Sequence, residues 1–208
     1  MSTIKTTNIT HGSNSGTANL VLASDGTITY AKKPALGRQV LEQFFTPCDG
    51  SVIATSAGNV TVQTKSDAQD LTTTDTDAAG SVITYTPPTG TTQVIYEFQF
   101  SGVRQDANSL AHFKFFIDSD EVTEARYTVG GDYTEGLWQF KWGINIGGSA
   151  VTATGRQASW TSGKTLKLTT REYSSTGEAK LYETYKYDGS SSDNFCRPHI
   201  GITAIGAA

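Results

Sequence analysis

Between Leu137 and Ile146 a large apolar residue falls on every second position. Trp138, Phe140, Trp142, Ile144 and Ile146 alternate with Gln139, Lys141, Gly143 and Asn145. Period two puts the apolar set on one face of a β-strand, whereas a helix at 3.6 residues per turn would scatter it. Two of the three tryptophans share this face, which predicts a wall of the core here. The alternation recurs at Gln93–Phe100, where Val94, Tyr96, Phe98 and Phe100 point away from Ile95, Glu97 and Gln99. It recurs again at Ala111–Ile117, where Phe113, Phe115 and Ile117 point away from His112, Lys114 and Phe116.

Shorter runs read as further strands: Val60–Val62, Ser81–Tyr85, Glu124–Val129, Ala150–Thr154, Gln157–Thr161, Leu166–Tyr173, Ala179–Tyr187 and Cys196–Ile205. Arg38–Thr46 is ambiguous, because Val40, Leu41, Phe44 and Phe45 also fit helical spacing. Its length and β surroundings favour a strand. Pro47–Gly50, Pro87-Pro88, Asp118–Glu121, Ser174–Gly177 and the Ser-rich stretch 188–193 punctuate these runs, and Ser66–Gly80 reads as loop. With no convincing helix, residues 38–208 are expected to form an all-β, antiparallel, jelly-roll-like β-sandwich.

Residues 1–31 form a separate opening unit. Ser2–Thr10 is extended and Thr-rich, and His11–Gly16 is a loop. Ala18–Ala23 and Thr27–Tyr30 flank Asp25-Gly26, a hairpin signal because a two-residue type I′ turn needs positive φ at both positions. The unit has Ile4, Ile9, Leu20, Val21, Leu22, Ile28 and Tyr30 to bury, and a hairpin of this size is marginal in water. It therefore predicts a partner surface, either its own copies or another protein, with Ile4, Ile9, Leu20, Leu22, Ile28 and Tyr30 as the attachment or oligomerisation residues. Residues 32–37, with Pro34 and Gly37, read as a linker.

Composition narrows the function classes. Of 208 residues only 17% are charged and 37% hydrophobic, with 21 glycines and abundant Thr and Ser. That suits β-sheets with uncharged polar faces and not a disordered chain. Three lysines against one aspartate leave residues 1–37 at net +2, so the remainder of this −4 chain carries −6. Nucleic acid is not an expected partner, since no basic stripe with interleaved aromatics appears. No apolar run is long enough for a membrane span, and the N-terminus does not read as a signal peptide, so synthesis in a cytoplasm is expected. Cys48 and Cys196 match no zinc or redox spacing. They are expected as free thiols, with a long-range disulfide as the other reading.

Candidate chemistry is sparse. His11, His112 and His199 lack ligand-spaced partners. Asp118, Asp120, Glu121 and Glu124 form the densest carboxylate cluster, as do Asp70, Asp75 and Asp77 more loosely. Both read as turns, the calcium alternative lacking the glycine and spacing of an EF-hand loop. No Gly-x-Ser-x-Gly elbow or phosphate loop occurs, so no catalytic residue, cofactor or metal is expected. Carboxylate pairs for glycoside cleavage can come from distant positions, which keeps a small polysaccharide-degrading enzyme or a carbohydrate-binding module as an alternative. Aromatics off the Trp138 face, chiefly Trp160 and Tyr133 and also Tyr173, Tyr182 and Tyr187, are candidate glycan contacts.

Three segments carry a family resemblance. Residues 2–11 (Ser-Thr-Ile-Lys-Thr-Thr-Asn-Ile-Thr-His), leading into Gly16–Thr29, resemble the N-terminal module of tail-fibre-like structural proteins of marine tailed bacteriophages. Ile83–Tyr96, with its Thr-Pro-Pro-Thr-Gly-Thr-Thr loop, resembles the family's strand–loop–strand step, and His199–Ile205 resembles the closing strand of its β-sandwich. The resemblance implies a non-enzymatic virion component, assembled in the host cytoplasm and usually a homotrimer. It would dock to other virion proteins and project its sandwich towards host surface glycans. A capsid decoration (cement) or head-fibre role is the close alternative.

Overall fold

A computed structural model of the chain describes residues 8–9, 20–22, 24, 28–30, 38–104, 110–130, 135–177, 179–185 and 193–206. The chain divides into two units, residues 1–37 with residue 208, and residues 38–207. Ile4, His11, the expected linker, Tyr133 and Tyr187 lie outside the described residues.

The first unit holds a three-stranded antiparallel sheet, β1 (Asn8–Ile9), β2 (Leu20–Leu22) and β3 (Ile28–Tyr30), in that order. The expected hairpin is there, with the opening segment added as a third strand. Leu22 pairs with Ile28, and the Asp25-Gly26 turn lies outside the described residues. Cross-strand partners share a face and alternate positions along a strand return to it. The register Ile9↔Leu20↔Tyr30 and Leu22↔Ile28 therefore puts positions 9, 20, 22, 28 and 30 on one face. Asn8, Val21 and Thr29 occupy the other.

The second unit runs β4 (Val40–Pro47), β5 (Val52–Thr55), β6 (Gly58–Thr61), β7 (Gln69–Asp70), β8 (Thr76–Asp77), β9 (Ile83–Tyr85), β10 (Thr91–Arg104), β11 (Ala111–Ile117), β12 (Asp120–Val129), β13 (Glu135–Asn145), a 3₁₀ turn (Thr152–Thr154), β14 (Lys164–Glu172), β15 (Ala179–Leu181), β16 (Glu183–Tyr185), β17 (Asp193–Phe195) and β18 (His199–Gly206). Eight of these strands pair from the outside inwards: β4 with β18, β9 with β14, β10 with β13, and β11 with β12. Two further pairings, β18 with β10 and β14 with β11, complete the sheets β4-β18-β10-β13 and β9-β14-β11-β12. This is the jelly-roll winding of an antiparallel β-sandwich. The minor strands extend these sheets (β15 and β7 beside β10, β8 beside β14) or form the hairpin β5-β6 and the pair β16-β17.

Aromatic rings join the two layers. Tyr96 and Phe100 on β10 meet Phe115 and Phe113 on β11, with centroids 5.1 and 5.5 Å apart, and Phe140 on β13 stacks on Tyr127 of β12 at 5.8 Å. Val94, Tyr96 and Phe98 are fully buried, as their alternation predicts. On β13, Phe140 and Ile144 are buried while Trp138 and Trp142, like Ile146 just beyond the strand, are half-buried. The strand faces inward as expected, but it pairs only with β10 among the described residues. It is the sheet's edge, so the core centres on β10 and β11.

Three expectations are corrected. Ala150–Thr154 is not a strand, because Thr152–Thr154 forms a 3₁₀ turn closed by Gly155 at φ 76°. Gln157–Thr161 contributes only an isolated bridge from Gln157 to Ile146. Ala179–Tyr187 is interrupted at Tyr182, whose φ of 68° ends one strand before the next begins. A non-glycine residue there costs about 1–3 kcal/mol and persists only where its surroundings fix it. Here the fully buried Tyr182 ring packs edge-on against Phe98 and Phe100.

Candidate functional site

The acidic turns are tied up in ion pairs. Asp118, at φ 56° in the β11–β12 turn, holds the Thr165 amide and lies 3.0 Å from Lys164 Nζ. Burial raises its pKa, and those two partners outweigh burial to hold it below the usual carboxylate value. Glu121 pairs with Arg126, Asp75 with Lys114 and Asp77 with Lys167. Among the described residues no group of His, Cys, Asp and Glu could hold a metal ion. The cysteines are free. Cys48 is buried, its thiol donates to the Gly80 carbonyl at 3.3 Å, and burial pushes its pKa up to about 12. That is the state of an inert structural thiol.

One groove, of about 560 Å³, lies at the end of the sandwich between the β5–β6 turn, the Thr86–Thr91 loop and residues 158–161. Trp160 stands in its wall. The indole is only 5% exposed, donates to the Tyr85 carbonyl at 3.1 Å and packs edge-on against Tyr85. This corrects the expectation of a sugar contact: stacking needs a free ring face, and Trp160 spends its faces on the core. Tyr182 is excluded on the same ground. Ile9, Leu20, Leu22, Ile28 and Tyr30 sit together on the three-stranded sheet as described above.

A second depression, of about 420 Å³, opens on the outer face of the β9-β14-β11-β12 sheet. It exists because β12 bulges. Phe113 pairs with Tyr127 but Phe115 pairs with Val122, so residues 123–126 stand opposite Lys114 alone. Four basic side chains line it: His112, Lys114, Arg126 and Arg171. His112 and Arg171 are cross-strand partners, which puts both on the outer face. The His112 Nδ1 lies 2.8 Å from Thr128 Oγ1, while Nε2 has no partner. Burial lowers the His112 pKa; Arg171 and Lys114 add to this and Asp75 opposes it. Beside His112, with centroids 6.4 Å apart, lies the ring of Tyr173, which is 61% exposed.

Comparison with known proteins adds little to this geometry. No family model matches the chain, and no curated protein does. Among solved structures the chain is similar to that of infectious bursal disease virus, Gx strain, with a TM-score of 0.32 and 9% identity, covering 80% of this chain and 42% of that one. It is also similar to the VP2 subviral particle of infectious bursal disease virus, with a TM-score of 0.22 and 9% identity, covering 76% of this chain and 45% of that one. The chain thus spans less than half the length of each.

Sequence reasoning missed the basic depression. His112 was legible as the polar side of a strand, but Arg171 lies 59 positions later. Only the β11–β14 register brings them together. Tyr173 carried a signal, since it follows Arg171 by two positions, just past the end of β14.

Proposed function

We propose that the chain is a non-enzymatic structural protein of a bacteriophage particle, of the tail-fibre or receptor-binding type, which docks through its N-terminal sheet. One observation carries this reading. The register of β1, β2 and β3 collects five apolar positions on one face of a three-stranded sheet. A sheet of this size is not stable by itself, so its apolar face calls for a cover. Three copies related by symmetry supply one for each other, and a virion protein supplies another. The same stretch carries the resemblance to phage tail-fibre-like modules. The jelly roll that follows has a complete core of its own and a low-charge, Thr- and Ser-rich composition suited to a durable external part.

The test is the mass in solution of the full chain and of a chain starting at Arg38. The reading expects a trimer for the first and a folded monomer for the second, and loss of the truncated form from purified particles. A monomeric full chain, together with normal incorporation of the truncated one, overturns it. Copy number per particle then separates fibre from decoration: a handful fits a fibre, hundreds fit a cement protein.

A further inference from the structure

We infer that the outer face of the β12-β11-β14 layer is a binding site for an acidic saccharide, a glycan bearing sulfate or carboxylate groups. Arg171, beside His112, receives the oxyanion and Tyr173 receives the sugar ring. The assignment stands on three independent features of the surface and does not depend on the N-terminal docking reading.

The first is an uncompensated cation. Lys114, Arg126, Lys164 and Lys167 on this layer each hold a carboxylate. Arg171 forms no ion pair among the described residues. Counting Lys114, Arg126 and Arg171 against Asp75 and Glu121, the depression is net positive in a chain whose total is −4. A guanidinium presents paired N–H donors that match a carboxylate or sulfate edge, and charge-assisted bonds of that kind are the strong ones.

The second is the rigid setting of that cation. Thr128 engages one nitrogen of His112, and the other, Nε2, is buried without a partner beneath the depression. Arg171 sits across the ladder on the neighbouring strand. Both side chains spring from rigid β-strands and not from loops, which lowers the ordering cost of binding.

The third separates a saccharide from a bare ion. Tyr173 lies just past the end of β14, two positions after Arg171, and its ring is 61% exposed next to His112. An exposed ring is of no use to inorganic sulfate. Beside an anion site it offers the flat apolar platform that the C–H face of a pyranose packs against, while Thr128 supplies a hydroxyl in the depression. The depression is shallow and open along the sheet, which suits a chain passing over it better than an engulfed small molecule.

The experiment is titration calorimetry on the full chain at low salt with four probes: a chondroitin sulfate hexasaccharide, an alginate hexasaccharide, maltohexaose as the neutral control, and sodium sulfate. Binding of at least one acidic hexasaccharide is expected, with none by maltohexaose and an affinity that falls as salt rises. Arg171→Gln should weaken it about tenfold or more. Tyr173→Ala should weaken the hexasaccharide and leave sulfate unchanged. Lys141→Gln, on the outer face of the other sheet, should change nothing. Thermal melts of each variant verify the fold, and movement of the His112 ring resonances in the unmutated protein locates the ligand without any substitution. The inference fails if no acidic hexasaccharide binds, if maltohexaose binds equally, if folded Arg171→Gln binds as before, or if the His112 resonances stay still. Equal affinity for sulfate and hexasaccharide, insensitive to Tyr173→Ala, also overturns it and leaves a free-anion site.

Discussion

The sheet of residues 8–30 and the sandwich of residues 38–206 solve the same problem with different resources. Each collects its apolar residues on one face by strand register. In the sandwich the face of β10 is answered by the face of β11, and Val94, Tyr96, Phe98, Phe100, Phe113 and Phe115 are each 1% exposed or less. Among the described residues the N-terminal sheet is a single layer of three short strands, with no second layer to answer it. One unit carries its cover in the chain, and under the proposed reading the other leaves the cover to a partner. This difference turns a strand pattern into a functional statement, because an apolar face that its own unit cannot cover marks a place for association.

The comparison breaks most directly at Phe100. This ring is 1% exposed and meets Phe98, Phe113, Trp138 and Tyr182. Phe100→Ala should destabilise the sandwich by about 3–5 kcal/mol, read from the denaturation midpoint of the chain starting at Arg38. A loss below about 1 kcal/mol would mean that the site collapses freely and the two layers do not interlock here. The substitution should not change the association state of the full chain before unfolding sets in.

What was legible in advance follows the same division. Strands β10, β11 and β13 could be read because their alternation is long and bounded by turn residues. The pattern also identified the buried face of each, since period two is a direct consequence of the pleat. It could not show that β13 is an edge strand, because alternation reports which side is buried and not how many neighbours pair. The segment 150–161 was misread for a physical reason. Val151, Thr152 and Thr154 have strand-like composition, but Gly147, Gly148 and Gly155 all adopt positive φ, and the chain turns across the end of the sandwich. Tyr182 misled in a similar way: nothing local says that a tyrosine will take a left-handed conformation, and its reward is tertiary packing. The basic depression needed both the β11–β14 register and a bulge in β12, neither of which composition encodes.

A smaller effect sharpens the account of how the sandwich covers its own edge. Gly102 on β10 faces Gly136 across the ladder, and the Trp138 ring lies directly over Gly102, where an added Cβ would overlap it. That ring also meets Phe113 edge-on at 6.1 Å. The glycine thus makes the space that lets an edge-strand indole fold back onto the core. Gly102→Ala should cost about 1–3 kcal/mol by displacing Trp138, with a red shift of tryptophan emission as the indole moves towards water. Unchanged emission and stability would show that the indole is not seated there in solution.

The smallest expected effect on the sandwich is also the most informative about the other unit. Leu20 and Leu22 lie on the shared face of the N-terminal sheet, in the unit separate from residues 38–207. Leu20→Asp with Leu22→Asp places two charges on a face that has to be desolvated on association, at a cost of several kcal/mol per ion. The melting of the sandwich should stay within about 0.5 kcal/mol of the parent, as for a change outside a packed core, while the full chain falls from trimer to monomer in light scattering. Val21→Asp, on the opposite face at a position already 38% exposed, should leave the trimer intact. If Val21→Asp dissociates the chain as readily as the double substitution, the register-defined face is not the contact. The two units would then differ in size but not in the way they complete their cores.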